Sequence, residues 1–186
     1  AQRFAEQVSH ARPGEVHFAH LLIPHYPYVA DRNCRFLSTS QWRQRMGSVP
    51  IAERETAYFE QLRCTMRQVD QILEALAKSP AGPGAIVIIH GDHGSRITNL
   101  DPNVAHRGHY TKADLVAGFT TLFAVRSPTI APAYHEDPAR VSRLLKDVAQ
   151  SDFRVLPADG NDAAPSVVLD DWTWKPRSRV PFPATW

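Results

Sequence analysis

The chain has 186 residues, a formal net charge of +2 and ordinary shares of apolar and charged residues. That length suffices for one domain with a sizeable core, and the near balance of charge gives no case for nucleic acid or another polyanion as partner. No apolar run reaches the length that spans a bilayer, and a start at Ala-Gln-Arg-Phe with neither initiator Met nor signal peptide reads as a processed protein or a piece of a longer one.

Residues 1 to 12 read as the end of a helix, stopped by Pro13-Gly14. "EVHFAHLLI" (15 to 23) is rich in β-formers and predicts a buried strand. It runs into "PHYPY", where Pro24 and Pro27 exclude regular structure and place His25, Tyr26 and Tyr28 on a loop. A short helical turn is expected around Ser40 to Arg45. From 51 to 79, apolar residues at Tyr58, Leu62, Met66, Val69, Leu73 and Leu76 keep the three-and-four spacing of a long amphipathic helix, and "PAGPG" ends it. "AIVII" (85 to 89) is a continuous apolar run, the pattern of a parallel strand covered on both faces. Residues 94 to 114 read as a polar loop, "FTTLFAV" (119 to 125) as a third strand, and residues 137 to 150 as a helix with Asp137 as N-cap and Pro138 at its first position. The Pro- and Asp-rich tail from 151 shows no long element.

This order predicts an α/β fold with a largely parallel sheet flanked by helices. Residues 1–150 then form one domain, and 151–186 a Pro-rich tail packed on it. In such sheets ligands bind beyond the carboxyl ends of the strands. "PHYPY" and "HGDHGSR" both leave strand ends, so parallel neighbouring strands would bring the two clusters to one edge.

The nine histidines are grouped: His17, His20 and His25; His90 and His93; His106 and His109. Histidine is a frequent metal ligand and general acid or base, so the grouping marks candidate sites. Asp92 and His93 offer a carboxylate oxygen and an imidazole nitrogen, a pair suited to Zn²⁺, Mn²⁺ or another divalent ion and less obviously to Ca²⁺. Gly91 and Gly94 allow sharp turning beside them. A solvated turn is the plainer reading of the same residues. Cys34 and Cys64, in no CxxC arrangement, are either one disulfide outside the cytoplasm or two buried thiols.

An apolar strand ending in "HGDHG", an upstream "HLLIPHYPY" loop and the intervening helix "QLRCTMRQVDQILEAL" together resemble the alkaline phosphatase superfamily. Within it they are most similar to the sulfatase-like branch of sulfatases and of phosphoethanolamine and lipoteichoic-acid-type phosphotransferases. The resemblance covers residues 15 to 125. It implies an α/β/α sandwich of alkaline phosphatase type, present here as the C-terminal part of a domain. It also implies a metal-dependent hydrolase or transferase acting on phosphate or sulfate esters of a cell-surface glycan or lipid, outside the cytoplasm, in a parent protein tethered to the membrane through its N-terminal region. Asp92 and His93 match the metal-ligating pair, holding one divalent ion (Zn, Mn, Mg or Ca) completed by residues absent from this chain. His25 matches the histidine that contacts the ester oxygens, with Tyr28 beside it. His106 or His109 fills the place of a further histidine downstream, and Arg96 and Arg107 are candidate anion binders. The family's Thr, Ser or modified Cys nucleophile has no counterpart, and no C-x-P-x-R signature occurs, so the chain alone is expected to turn over little ester. Two other readings share the residues: a non-catalytic domain that keeps the fold and binds an anion or glycan, and a structural domain with incidental histidines.

Overall fold

A computed structural model describes residues 1–44, 49–98, 100, 103–134, 139–149, 166–169 and 178–181. The chain divides into two compact units, Ala1–Ile86 and Val87–Trp186.

The first unit is helical. α1 (Gln2–Val8) packs on the long helix α3 (Ile51–Ala77), with a short α2 (Thr39–Gln44) between them in sequence. α3 forms where the periodicity places it, with Glu53 in its first turn complementing the helix dipole. Its fully buried stripe is Ala57, Gln61, Cys64 and Thr65, about one residue round from the apolar stripe through Tyr58, Leu62 and Met66. Met66 is exposed. The two buried polar side chains on this face are both hydrogen-bonded. Thr65 Oγ1 donates to the Gln61 carbonyl at 2.9 Å, and Gln61 serves the loop before α2. At the helix end Ser79 N–H and Oγ both reach the Leu76 carbonyl, at 2.9 and 2.8 Å. Gly82 packs so closely that a Cβ there would lie 2.5 Å from the Leu76 carbonyl oxygen. Ala81 N–H then donates to the Ala11 carbonyl at 3.1 Å, tying the turn to the segment after α1.

Among its described residues, the second unit holds two separate two-stranded antiparallel sheets and two α-helices. β1 (Val87–His90) pairs with β2 (Phe123–Arg126) in the register Val87↔Arg126 to His90↔Phe123. β3 (Ser166–Leu169) pairs with β4 (Ser178–Pro181). α4 (Lys112–Phe119) precedes β2, and α5 (Val141–Ala149) follows it. α4 opens on a capping box: Thr111 Oγ1 accepts from Asp114 N–H at 3.1 Å, while the Asp114 carboxylate accepts from Thr111 N–H at 3.0 Å.

The expected α/β sandwich with a largely parallel sheet is therefore overturned: the described chain is mainly helical and both its sheets are antiparallel. Three local causes act together. Of "AIVII" only Val87 to Ile89 join a strand, which pairs antiparallel, and Ile88 faces solvent instead of a covering helix. Residues 15 to 23 belong to no strand, and Val16, Phe18 and Leu22 are 95%, 83% and 73% exposed. β-forming residues favour the extended conformation, but a sheet also needs a partner ladder. Finally, part of the expected polar loop is α4. It takes Phe119 from the expected third strand, because Thr120 N–H still bonds back to the Val116 carbonyl at 3.0 Å. Asp137, Pro138 and the tryptophans of the tail lie outside the described residues.

Candidate functional site

Asp92 and His93 leave the end of β1 on a loop fixed by α4 and its exit. Gly91 N–H donates to the Leu122 carbonyl at 3.1 Å, Gly94 N–H to Gly118 at 3.3 Å, and Arg96 N–H to Ala117 at 3.0 Å. The last two bonds use carbonyls at the C-terminal end of α4, which lack intrahelical partners. The approach is close enough to require glycine. A Cβ on Gly94 would lie 2.3 Å from the Ala117 carbonyl oxygen, and one on Gly91 would lie 2.0 Å from Thr121 Oγ1. Neither glycine has positive φ, whereas Arg96 does, at 55°.

On this loop the two side chains are oriented toward each other. Asp92 Oδ1 accepts from His93 N–H at 3.0 Å. His93 Nδ1 lies 2.7 Å from the Gly94 carbonyl oxygen, an acceptor only, so Nδ1 is the nitrogen that carries the proton in the neutral ring. Nε2 stands 3.6 Å from Asp92 Oδ2. That is too long for a hydrogen bond and close to the ~3.4 Å between two tetrahedral ligands with bonds of about 2.0–2.1 Å. A histidine whose second nitrogen donates to a backbone carbonyl is the usual metal-ligand arrangement. The Asp92 side chain is 79% exposed, which leaves its outer oxygen open to an incoming ion. The donor set thus fits two positions of a divalent-ion site. Among the described residues, no group of three or more His, Cys, Asp or Glu could hold a metal.

The neighbouring histidines make contacts of their own. His90 stacks on Phe123 across the β1–β2 pair, with ring centroids 6.1 Å apart, and its Nδ1 meets the Gly91 carbonyl at 3.0 Å. His106 and His109 share one turn, His109 N–H donating to the His106 carbonyl at 3.0 Å, with Arg107 exposed between them. Tyr110 closes this turn: its hydroxyl donates to the Asn103 carbonyl at 2.6 Å and accepts from Asn103 N–H at 2.7 Å. The His106 ring stands edge-on to Tyr110.

In the first unit, His25 sits exposed on the loop between two cis prolyl bonds, Ile23–Pro24 and Tyr26–Pro27. Its Nδ1 contacts the Tyr26 carbonyl. Tyr28, expected beside the substrate, is 3% exposed and packed edge-to-face between Tyr26 and Tyr58, so it serves as core. Burial, with Tyr58 nearby, pushes its hydroxyl up to about 12. His17 bridges Gln7 and Glu15 at 3.2 Å to each. The backbone N–H of Arg12, followed by His17, holds the Glu15 carboxyl below its ordinary value. Cys34 and Cys64 form a disulfide, which decides between the two readings of the pair. It fixes the turn after the histidine loop to α3, and Arg32 adds an ion pair to Glu60 at 2.8 Å.

The parallel neighbouring strands that were to bring "PHYPY" and "HGDHGSR" to one edge are not formed, since residues 15 to 23 join no sheet. Two contributors escaped the sequence reading. α4 was announced by "TKAD", a Thr with an acidic residue three positions on. Gln61, a polar residue inside an amphipathic helix, gave no signal separating it from a solvated one. No helix among the described residues is long and apolar enough to cross a membrane. The chain matches no protein-family model, and comparison with curated proteins and with solved structures gives no significant match.

Proposed function

We propose that Asp92 and His93 are two ligands of a divalent metal ion in a protein that hydrolyses or transfers phosphate or sulfate esters of a glycan or lipid, and, as a separate assignment within the first unit, that His25 contacts phosphate or sulfate oxygens. The observation that carries this reading is the Asp92–His93 geometry: Oδ2 and Nε2 3.6 Å apart, with the His93 tautomer set by Gly94. The pair alone supports it, since the described residues form no parallel sheet of the resembling family's kind. The remaining ligands come from outside the described residues. When bound, a divalent ion offsets the charge that ester cleavage builds on the transferred group. His93 contributes a lone pair fixed in direction, and Asp92 a carboxylate whose inner oxygen is held by backbone. The Cys34–Cys64 bridge supports an oxidising compartment, in keeping with a cell-surface substrate.

Titration of the chain with Zn²⁺ or Mn²⁺ in a calorimeter tests the reading. The expected result is stoichiometric binding that weakens about 10- to 100-fold in Asp92→Asn and in His93→Ala, the scale on which metal affinity responds to altered coordination. Equal affinity in wild type and Asp92→Asn rejects it. The chain alone is expected to give little turnover on simple phosphate or sulfate esters, and a rate abolished by Asp92→Ala would overturn the view that its site is incomplete.

A further inference from the structure

Gln61 is 0% exposed in the middle of α3, and its amide is spent on one loop. Oε1 accepts from Val29 N–H at 2.8 Å and from Ala30 N–H at 3.1 Å, and Nε2 donates to the His25 carbonyl at 2.8 Å. One side chain therefore grips both ends of the segment from His25 to Ala30. Pro24 and Pro27 lack the N–H groups a ladder or turn would use; beside Gln61, the segment's backbone bonds are His25 N–H to the Leu22 carbonyl at 3.2 Å and Leu37 N–H to the Val29 carbonyl at 2.8 Å. A buried amide is costly unless its hydrogen bonds are made, so its retention here points to the loop. An apolar residue of the same size would fill the space and leave the His25 carbonyl and the Val29 and Ala30 amides to find other partners.

We infer that Gln61 is a positioning residue that sets where His25 stands. This rests on the proposed role of His25 as the contact to the ester oxygens. Gln61 touches neither substrate nor metal; it acts through the backbone of the loop. Cys64, one turn further along α3, anchors the chain beyond the loop through its bridge to Cys34, so the helix holds the segment at His25, at residues 29 and 30, and at residue 34.

The test is solution NMR on the full chain, following the His25 ring signals, the exchange of the Val29 and Ala30 amides, and the response of the ring to inorganic phosphate. Gln61→Met removes all three bonds and keeps the bulk. Its expected effects are split or broadened His25 ring signals, amide exchange at Val29 and Ala30 faster by about tenfold, and phosphate affinity at the ring lower by a similar factor. Should Gln61→Met fail to fold, Gln61→Glu serves: ionised, it still accepts from Val29 and Ala30 but cannot donate to His25. Amide protection is then kept while the His25 signals broaden. Thr65→Val is the control, because Thr65 is equally part of the buried stripe but bonds only within α3. It is expected to lower the melting temperature and leave the ring signals as in wild type. Wild-type ring signals and phosphate response in a folded Gln61 variant, or the same ring broadening in Thr65→Val, overturn the assignment. A wild-type ring that ignores phosphate, with the Gln61 effects on loop placement as expected, rejects the role of His25 instead.

Discussion

At the scale of single residues, the two glycines flanking the Asp-His pair separate by what a methyl group would meet. At Gly94 it would strike backbone, with the Ala117 and Thr120 carbonyl oxygens at 2.3 and 2.7 Å. At Gly91 it would strike Thr121 Oγ1, the tip of a side chain that can rotate away. Gly94→Ala is therefore expected to destabilise the second unit by about 1–3 kcal/mol, the range for overpacking, with Gly91→Ala at the lower end. Chemical denaturation of both variants checks the order, and equal losses would reject it. The sequence marked these glycines as important, but for turning; the structure needs them for close approach, a long-range contact that local pattern does not carry. Tyr28 offers a pH test. Its folded value, about 12, lies above that of an exposed tyrosine. An acid with a raised folded value adds stability in full below its unfolded value, near 10, and loses it as pH rises toward 12. The first unit should thus weaken between about pH 10 and 12 by on the order of 1–3 kcal/mol. Urea melts at several pH values measure this, and in Tyr28→Phe that slope should flatten.

At the scale of elements, helices were more legible than strands. α3 repeats its pattern over seven turns, so its existence is fixed locally, though the face it buries is not. Packing chose the stripe through Ala57 and Cys64, whose small side chains let the histidine loop and the disulfide partner approach. α4 was hidden because its apolar residues merge with the run before β2; its only local mark is the Thr111–Asp114 pair. Thr111→Ala is expected to cost about 1 kcal/mol, and because α4 carbonyls hold the Gly94 backbone, it should also weaken metal binding at Asp92–His93. A thermal melt and a Zn²⁺ titration of one variant read both, and unchanged metal affinity would show that the loop holds without its helix. Strand pairing was the least legible. Residues 15 to 23 and 85 to 89 have similar composition, yet only the second finds a ladder, and the direction of pairing depends on a partner over thirty residues away. The disulfide, closing a separation of 30 residues, constrains the unfolded chain. Its removal by Cys34→Ser with Cys64→Ser should cost roughly 3–4 kcal/mol.

At the scale of the whole molecule, each unit carries one constraint that a simple reagent can address. The disulfide lies wholly within Ala1–Ile86, and the Asp-His pair within Val87–Trp186. A reductant and a metal ion should therefore mark different peptides in hydrogen exchange read by mass spectrometry. Reduction releases the turn at Cys34 from α3, and exchange should accelerate in peptides spanning residues 28 to 66. An ion that binds only the folded pair stabilises by mass action, by about 2.7 kcal/mol at a free concentration one hundred times Kd. That gain should slow exchange at the backbone amides that hold the loop, in peptides spanning 87 to 98 and 112 to 126. Asp92→Asn should abolish the second effect and leave the first. The double cysteine variant should show the first effect without reductant and keep the second. Slowing by Zn²⁺ that persists in Asp92→Asn would place the ion elsewhere, on one of the other histidine groups, and would remove the central pair from the proposed site.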